Sequence, residues 1–198
     1  MMRINKMRSS WLLLSLSLGL AFTLLACQQK DESGRPIIFQ EYFEGTVSDE
    51  WRYAGDYDQL LLVGNQLGGP GDGLAQMCVG ELDWDDYIVT LWTDHSKGSL
   101  VVYFRLQNWD ETYGFLIQEN VANLFSRYDN DATVDIESVK EISEDPVQVQ
   151  IQVVGDEVVT SINGDHFFTF QDARLPTGRV CLELAGDVLV DNFVITEP

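Results

Sequence analysis

The densest chemistry in the sequence is GELDWDDYIVTL, Gly80 to Leu91, which sets the carboxylates of Glu81, Asp83, Asp85 and Asp86 around Trp84. Paired carboxylates can act as acid and nucleophile on a glycosidic bond, and clustered ones can hold a hard cation. A retaining pair needs its carboxyls about 5–5.5 Å apart, whereas residues four apart on a flat strand are separated by roughly 13 Å. The apolar run that follows makes this cluster the acidic lip of a strand, with Trp84 and Tyr87 as packing anchors. No residue is expected to be catalytic.

A second set is aromatic and cationic: Tyr103, Arg105, Trp109 and Tyr113, with Trp92 nearby. Aromatic faces with a few placed polar groups are the usual lining of a ligand pocket. Tyr103 and Arg105, two residues apart, fall on one face of a strand, and Trp109 follows in the QNWDET loop. An arginine among apolar neighbours needs a partner or an open face. Arg105 therefore either reads a ligand hydroxyl or carboxylate, or is held in an internal salt bridge. Trp92 and Trp51 are expected in the core. His95 and His166 stand beside turns with no H-x-H or H-E-x-x-H spacing, which argues against a zinc enzyme. No G-x-S-x-G is present for a serine nucleophile.

These residues must be positioned by strands. In PVQVQIQVV, Val147, Val149, Ile151 and Val153 face one way and Gln148, Gln150 and Gln152 the other, the period of a half-buried strand. Gly155–Asp156 and Asn163–Gly164 are two-residue hairpin signals, so Val147 to Phe170 reads as a three-stranded meander. Similar short runs recur from Ile37 to Ile195, with no long helical period and no interdomain linker. The expected fold is all-β: two stacked antiparallel sheets forming a jelly roll.

Ahead of this domain, Arg3, Lys6 and Arg8 precede an apolar run, Trp11 to Leu25, that is short for a membrane span. The run ends in LLAC and resembles the lipobox of bacterial lipoproteins. That resemblance implies a signal peptide over 1–26, cleavage before Cys27 and lipidation of Cys27. A polar tether, 27–36, and one domain, 37–198, would follow. Gln28 after the cysteine implies the outer membrane in a bacterium with two membranes, the domain standing outside the cytoplasm in the cell envelope. Loss of the leader takes the formal net charge from −20 to −23. Such a charge repels nucleic acid and leaves a glycan, a cation or a basic protein as the class of partner. The membrane would be met through the lipid. Cys78 and Cys181 form an even pair in an oxidising compartment, either a disulfide or two separate buried thiols.

The order of motifs resembles the concanavalin A-like lectin/glucanase superfamily. FQEYFEGTVSDEWRY is similar to its opening element, WDDYIVTLWT to its W-x-D-Y-x-V strand, and GSLVVYFRLQNWDETYGFLI to its G-x-x-F-R…Y-x-F segment. VVGDEVVTSING and LPTGRVCLELAGDVLVDNFVI are similar to its closing strands. The resemblance spans Phe39 to Ile195. It implies a jelly roll and, through its laminin-G-like members, a carbohydrate-binding face. The alternatives it carries are a hydrolase like family 16 glycosidases or 3-keto-disaccharide hydrolases, and a structural or adhesion module. ELDWDD puts aspartate where the glycosidase motif has its second glutamate. No cofactor is required by the sequence. The resemblance adds one candidate, a structural calcium between first and last strands, held by Glu44 and Asp191.

Overall fold

A computed structural model describes residues 28–54, 61–128, 134–142 and 145–198, with the backbone alone for 134–140. The leader 1–26, Cys27 and most of the acidic DNDATVD segment lie outside the described residues. The described strands are β1 (Ile37–Glu41), β2 (Arg52–Tyr53), β3 (Leu61–Val63), β4 (Gln66–Gly68), β5 (Gly71–Val79), β6 (Tyr87–Asp94), β7 (Gly98–Asn108), β8 (Glu111–Gln118), β9 (Val121–Arg127), β10 (Val134–Glu141), β11 (Val147–Val154), β12 (Glu157–Ile162), β13 (Asp165–Gln171), β14 (Arg179–Gly186) and β15 (Leu189–Thr196). No helix occurs among the described residues.

The strands form two antiparallel sheets. One runs β13-β12-β11-β6-β15-β4-β3, with β1 also on β15; the other runs β10-β9-β8-β7-β14-β5-β2. The meander Val147 to Phe170 is β11-β12-β13, as the two hairpin signals require. At its second turn Asn163 and Gly164 both have positive φ, 52° and 81°, the left-handed pair that an Asn-Gly hairpin supplies.

Register decides which side chains meet. Val149 lies opposite Leu91 and Ile151 opposite Val89, all four buried between the sheets. Val102, Phe104, Phe115, Leu124, Leu182 and Leu184 fill the core from the other sheet. Each such side chain contributes about 1.5–3 kcal/mol relative to exposure. Trp51 closes one end of the core against Phe39 and Phe193, with ring centroids 5.2 and 5.0 Å away, in keeping with its expected core position.

The second sheet also carries a small cluster on its outer side, built from Cys78, Val101, Tyr103, Leu106, Phe125 and Cys181. Cys78 and Cys181 are directly opposite each other on β5 and β14, Cα atoms 4.0 Å apart, and are joined as a disulfide. That closes a span of 103 residues.

Two expectations give way here. Trp92 is 39% exposed, because β6 buries Tyr87, Val89, Leu91 and Thr93 and turns the even residues outward from Thr90 on. Residues 28–36, read as a tether, are folded: Lys30 pairs with Pro36, and the Ile37 N–H donates to the Gln29 carbonyl at 2.8 Å.

Candidate functional site

The outer face of the first sheet is polar around one indole. Gln148 lies opposite Trp92 and Gln150 opposite Thr90 across β11–β6, while Asp191 lies opposite Trp92 and Val194 opposite Thr90 across β15–β6. Between Asp191 and Val194 the register slips by one residue. Asn192, with φ 50°, is the extra residue and stands exposed beside Trp92; Asn tolerates this left-handed conformation.

Trp92 separates two hollows. The larger, about 710 Å³, has Trp92, Thr90, Gln148, Gln150 and Val194 in its floor, with Gln40 and Tyr42 along one side. The smaller, about 240 Å³, adds Gln66, Asp94, Pro146 and Asp191 on the far side of the indole. Gln150 donates to the Thr90 hydroxyl at 3.4 Å. Among the described residues, no hydrogen bond occupies the side-chain amides of Gln148 and Asn192, which leaves them available to a ligand.

Residues Gln29 to Arg35 wall the larger hollow as a tight hairpin. Asp31 organises it: its carboxylate accepts from the Ser33 hydroxyl at 2.8 Å, the Arg35 N–H at 2.8 Å and Arg35 Nε at 2.9 Å. Burial would raise the Asp31 pKa, but those bonds and the Arg35 charge outweigh it and hold it at about 2. The carboxyl's ordinary value is 3.8, so the closed hairpin's electrostatic support is complete above that pH and lost as pH falls through about 2. Amide shifts of Ser33 and Gly34 are expected to titrate with a midpoint near 2. Arg35→Ala should move that midpoint toward 3.8; an unmoved midpoint would refute the assignment.

An exposed aromatic face with the amides of Gln148 and Asn192 on one side and the carboxylates of Asp94 and Asp191 on the other suits a sugar: ring C–H groups pack on the indole while hydroxyls bond to the amides and carboxylates. The one carboxylate organising the wall, Asp31, is committed to Arg35 and Ser33.

The residues singled out from the sequence as ligand-binding do not line this groove. Arg105 is fully buried. It donates to the carbonyls of Gly155 at 2.6 Å, Leu175 at 3.1 Å and Asp85 at 3.4 Å, and lies 3.8 Å from Asp86 Oδ1. It is the internally held arginine. Its φ of 49° also breaks the strand alternation, so Leu106, not Arg105, joins Tyr103 in the outer cluster. Tyr103 is buried under Trp109 and Phe125, ring centroids 5.4 and 6.0 Å away, on the opposite sheet from the groove. Burial, then the charge of Glu183, pushes its hydroxyl up to about 12. Trp109 is half-buried on Tyr103. Tyr113 stacks on Phe104 at 5.5 Å inside the core.

The acidic lip is structural. Glu81 pairs with Arg52 at 2.7 Å, and Asp86 accepts the Gly155 N–H at 2.7 Å, tying β6 to the β11–β12 turn. Trp84 packs on Tyr87, with ring centroids 6.3 Å apart. Glu44 is exposed in the loop after β1, and the Asp191 carboxylate accepts the N–H of Asn192 at 2.7 Å. Among the described residues no three His, Cys, Asp or Glu side chains gather as metal ligands, so Glu44 and Asp191 belong to no such group. The acid that serves the loop is Glu41, which accepts the N–H groups of Phe43 at 2.9 Å and Ser48 at 2.7 Å.

Sequence reasoning placed Trp92 in the core and did not single out Tyr42 or Asn192. The outward glutamines of β11 were the available signal. Pairing β11 with β6 puts Trp92 among them, but that pairing joins segments more than fifty residues apart.

No protein family's profile matches the chain, and no curated protein matches it in sequence. Solved structures do. Carbohydrate-binding module CBM66 from Bacillus subtilis is 14% identical, with 75% of this chain and 96% of that one covered at a TM-score of 0.59. A protein of unknown function with a galectin-like fold from Bacillus subtilis is 12% identical, with 86% and 97% covered at 0.60. The carbohydrate recognition domain of Emp46p, in its potassium-bound form, is 12% identical, with 80% and 96% covered at 0.59. These neighbours are galectin-like and carbohydrate-binding β-sandwich domains, and at such identities the likeness is one of fold.

Proposed function

We propose that this chain is a lipid-anchored protein of the bacterial cell envelope whose β-sandwich binds a saccharide in the groove around Trp92. The observation that carries the reading is the exposed indole on the outer face of the first sheet, flanked by the uncommitted amides of Gln148 and Asn192. The fold's likeness to a carbohydrate-binding module and a carbohydrate recognition domain supports it. The LLAC leader supports the anchor, with Cys27 as the lipidated residue.

The test is a glycan array followed by calorimetry on the strongest binder. Trp92→Ala is expected to weaken binding roughly 30-fold, the loss of about 2 kcal/mol typical of a central aromatic anchor. Trp109→Ala, on the other sheet, should leave affinity unchanged. An affinity insensitive to Trp92, or lost equally in both variants, would sink the proposal. Labelling with a fatty-acid probe, lost in Cys27→Ser, tests the anchor separately.

A further inference from the structure

The wall of the groove begins at Gln29, two residues after Cys27 in the sequence. Gln28 follows Cys27 directly, and its side-chain amide donates to Glu197 at 3.4 Å, next to the end of β15. One residue later the Gln29 carbonyl is bonded to Ile37, and the hairpin that it opens walls the groove. A single residue, Gln28, stands in the sequence between Cys27 and Gln29, the first residue bonded through its backbone. Consecutive Cα atoms are about 3.8 Å apart, so a lipid on Cys27 holds Gln28 at the headgroup layer and the groove wall within a few residues of it. The side chains presented there suit that position. Tyr42 is 43% exposed and Trp92 39% exposed on the groove side. Aromatic rings with a polar atom settle at membrane–water interfaces.

We infer that the groove is held at the surface of the membrane that anchors the chain, and that its ligand is the saccharide headgroup of a lipid in that membrane. The inference rests on the proposed anchoring and saccharide binding. A glycolipid headgroup is already concentrated in the plane to which a lipid on Cys27 would tie the groove wall, whereas a soluble saccharide must reach it from bulk solution.

The lipidated mature protein in phosphatidylcholine vesicles with a headgroup nitroxide tests the placement. Tryptophan emission should drop against unlabelled vesicles, and Trp92→Phe should abolish the drop. Insertion of about 16 Gly/Ser residues between Cys27 and Gln28, an r.m.s. span of roughly 20–24 Å, should abolish it too. Quenching that survives either change overturns the placement, as does a Cys27 found without acyl chains.

The ligand is tested in unlabelled vesicles containing a diglycosyl diacylglycerol. A shift in tryptophan emission that depends on the glycolipid and is lost in Trp92→Phe is expected. No shift, from protein that binds saccharides on the array, overturns the glycolipid assignment while leaving saccharide binding standing. Failure on the array as well brings down the saccharide reading itself, and the nitroxide result still decides the placement.

Discussion

Arg105→Ala should lower unfolding free energy by about 3–5 kcal/mol, the cost of emptying a large buried site and leaving carbonyls without their charged donor. In a domain of this size that corresponds to a fall in Tm of roughly 10 °C. The loss has identifiable parts. The carbonyls of Gly155, Leu175 and Asp85 lose a charged donor at 2.6, 3.1 and 3.4 Å, and a fully buried side chain leaves a cavity. Arg105→Lys should recover only part of the loss, because one ammonium cannot reproduce a planar fork reaching three carbonyls. The backbone around it is equally committed: the Arg105 N–H donates to the Tyr87 hydroxyl at 2.8 Å, and a Cβ on Gly178 would lie 2.3 Å from the Arg105 carbonyl carbon. Thermal unfolding of both variants checks this. The same substitution separates the two roles an arginine could have here. Folded Arg105→Ala protein at low temperature should bind the array's strongest glycan with unchanged affinity. Lost affinity with intact stability would mean Arg105 reads the ligand after all.

Removing the disulfide is the second large effect. The double substitution Cys78→Ala, Cys181→Ala should cost about 2–5 kcal/mol, measured as a lower urea midpoint at similar slope. The expected size follows from loop closure, since the bond ties residues 103 apart and removes much of the unfolded chain's freedom. Adding reductant should bring the wild-type midpoint down to that of the double variant and leave the variant unmoved. A wild-type curve indifferent to reductant would refute the account. The fold itself should persist, because β14 keeps β5 and β7 as neighbours through hydrogen bonds that do not involve the sulfurs. Glycan affinity should persist too, the disulfide being on the sheet away from the groove.

How much of this could be read from the sequence varies with the range of the interaction that decides it. Strands β11 to β13 were legible because period-two alternation and the Asn163–Gly164 turn are local. So was the all-β class. Arg105 was misplaced in one respect, its shared face with Tyr103: the alternation argument assumes a regular strand, and its left-handed φ ends that regularity. Its alternative role as an internally paired arginine is the one that holds. Trp92 was misread because its bulk suggested the core, although its own strand puts it out of phase with Leu91. Local pattern already pointed outward there; composition argued the other way. The hairpin wall was invisible for a different reason. QQKDESGRP has the polar, turn-rich make-up of a linker, and what folds it is the bonding of Asp31 to Ser33 and Arg35, the Lys30–Pro36 pairing and the contact with Ile37.

The central positions of both sheets are filled late in the chain. β14 lies between β7 and β5, and β15 lies between β6 and the β1 and β4 strands. Among the described strands, β1 to β13 have all been synthesised before either sheet can close, since β14 and β15 are the last to be made and β1 pairs with Phe193 to Thr196 of β15. Pairings this distant are the slow kind. Until β14 and β15 exist, the nascent chain therefore carries its other strands as two incomplete sheets, with apolar faces and strand edges still uncovered.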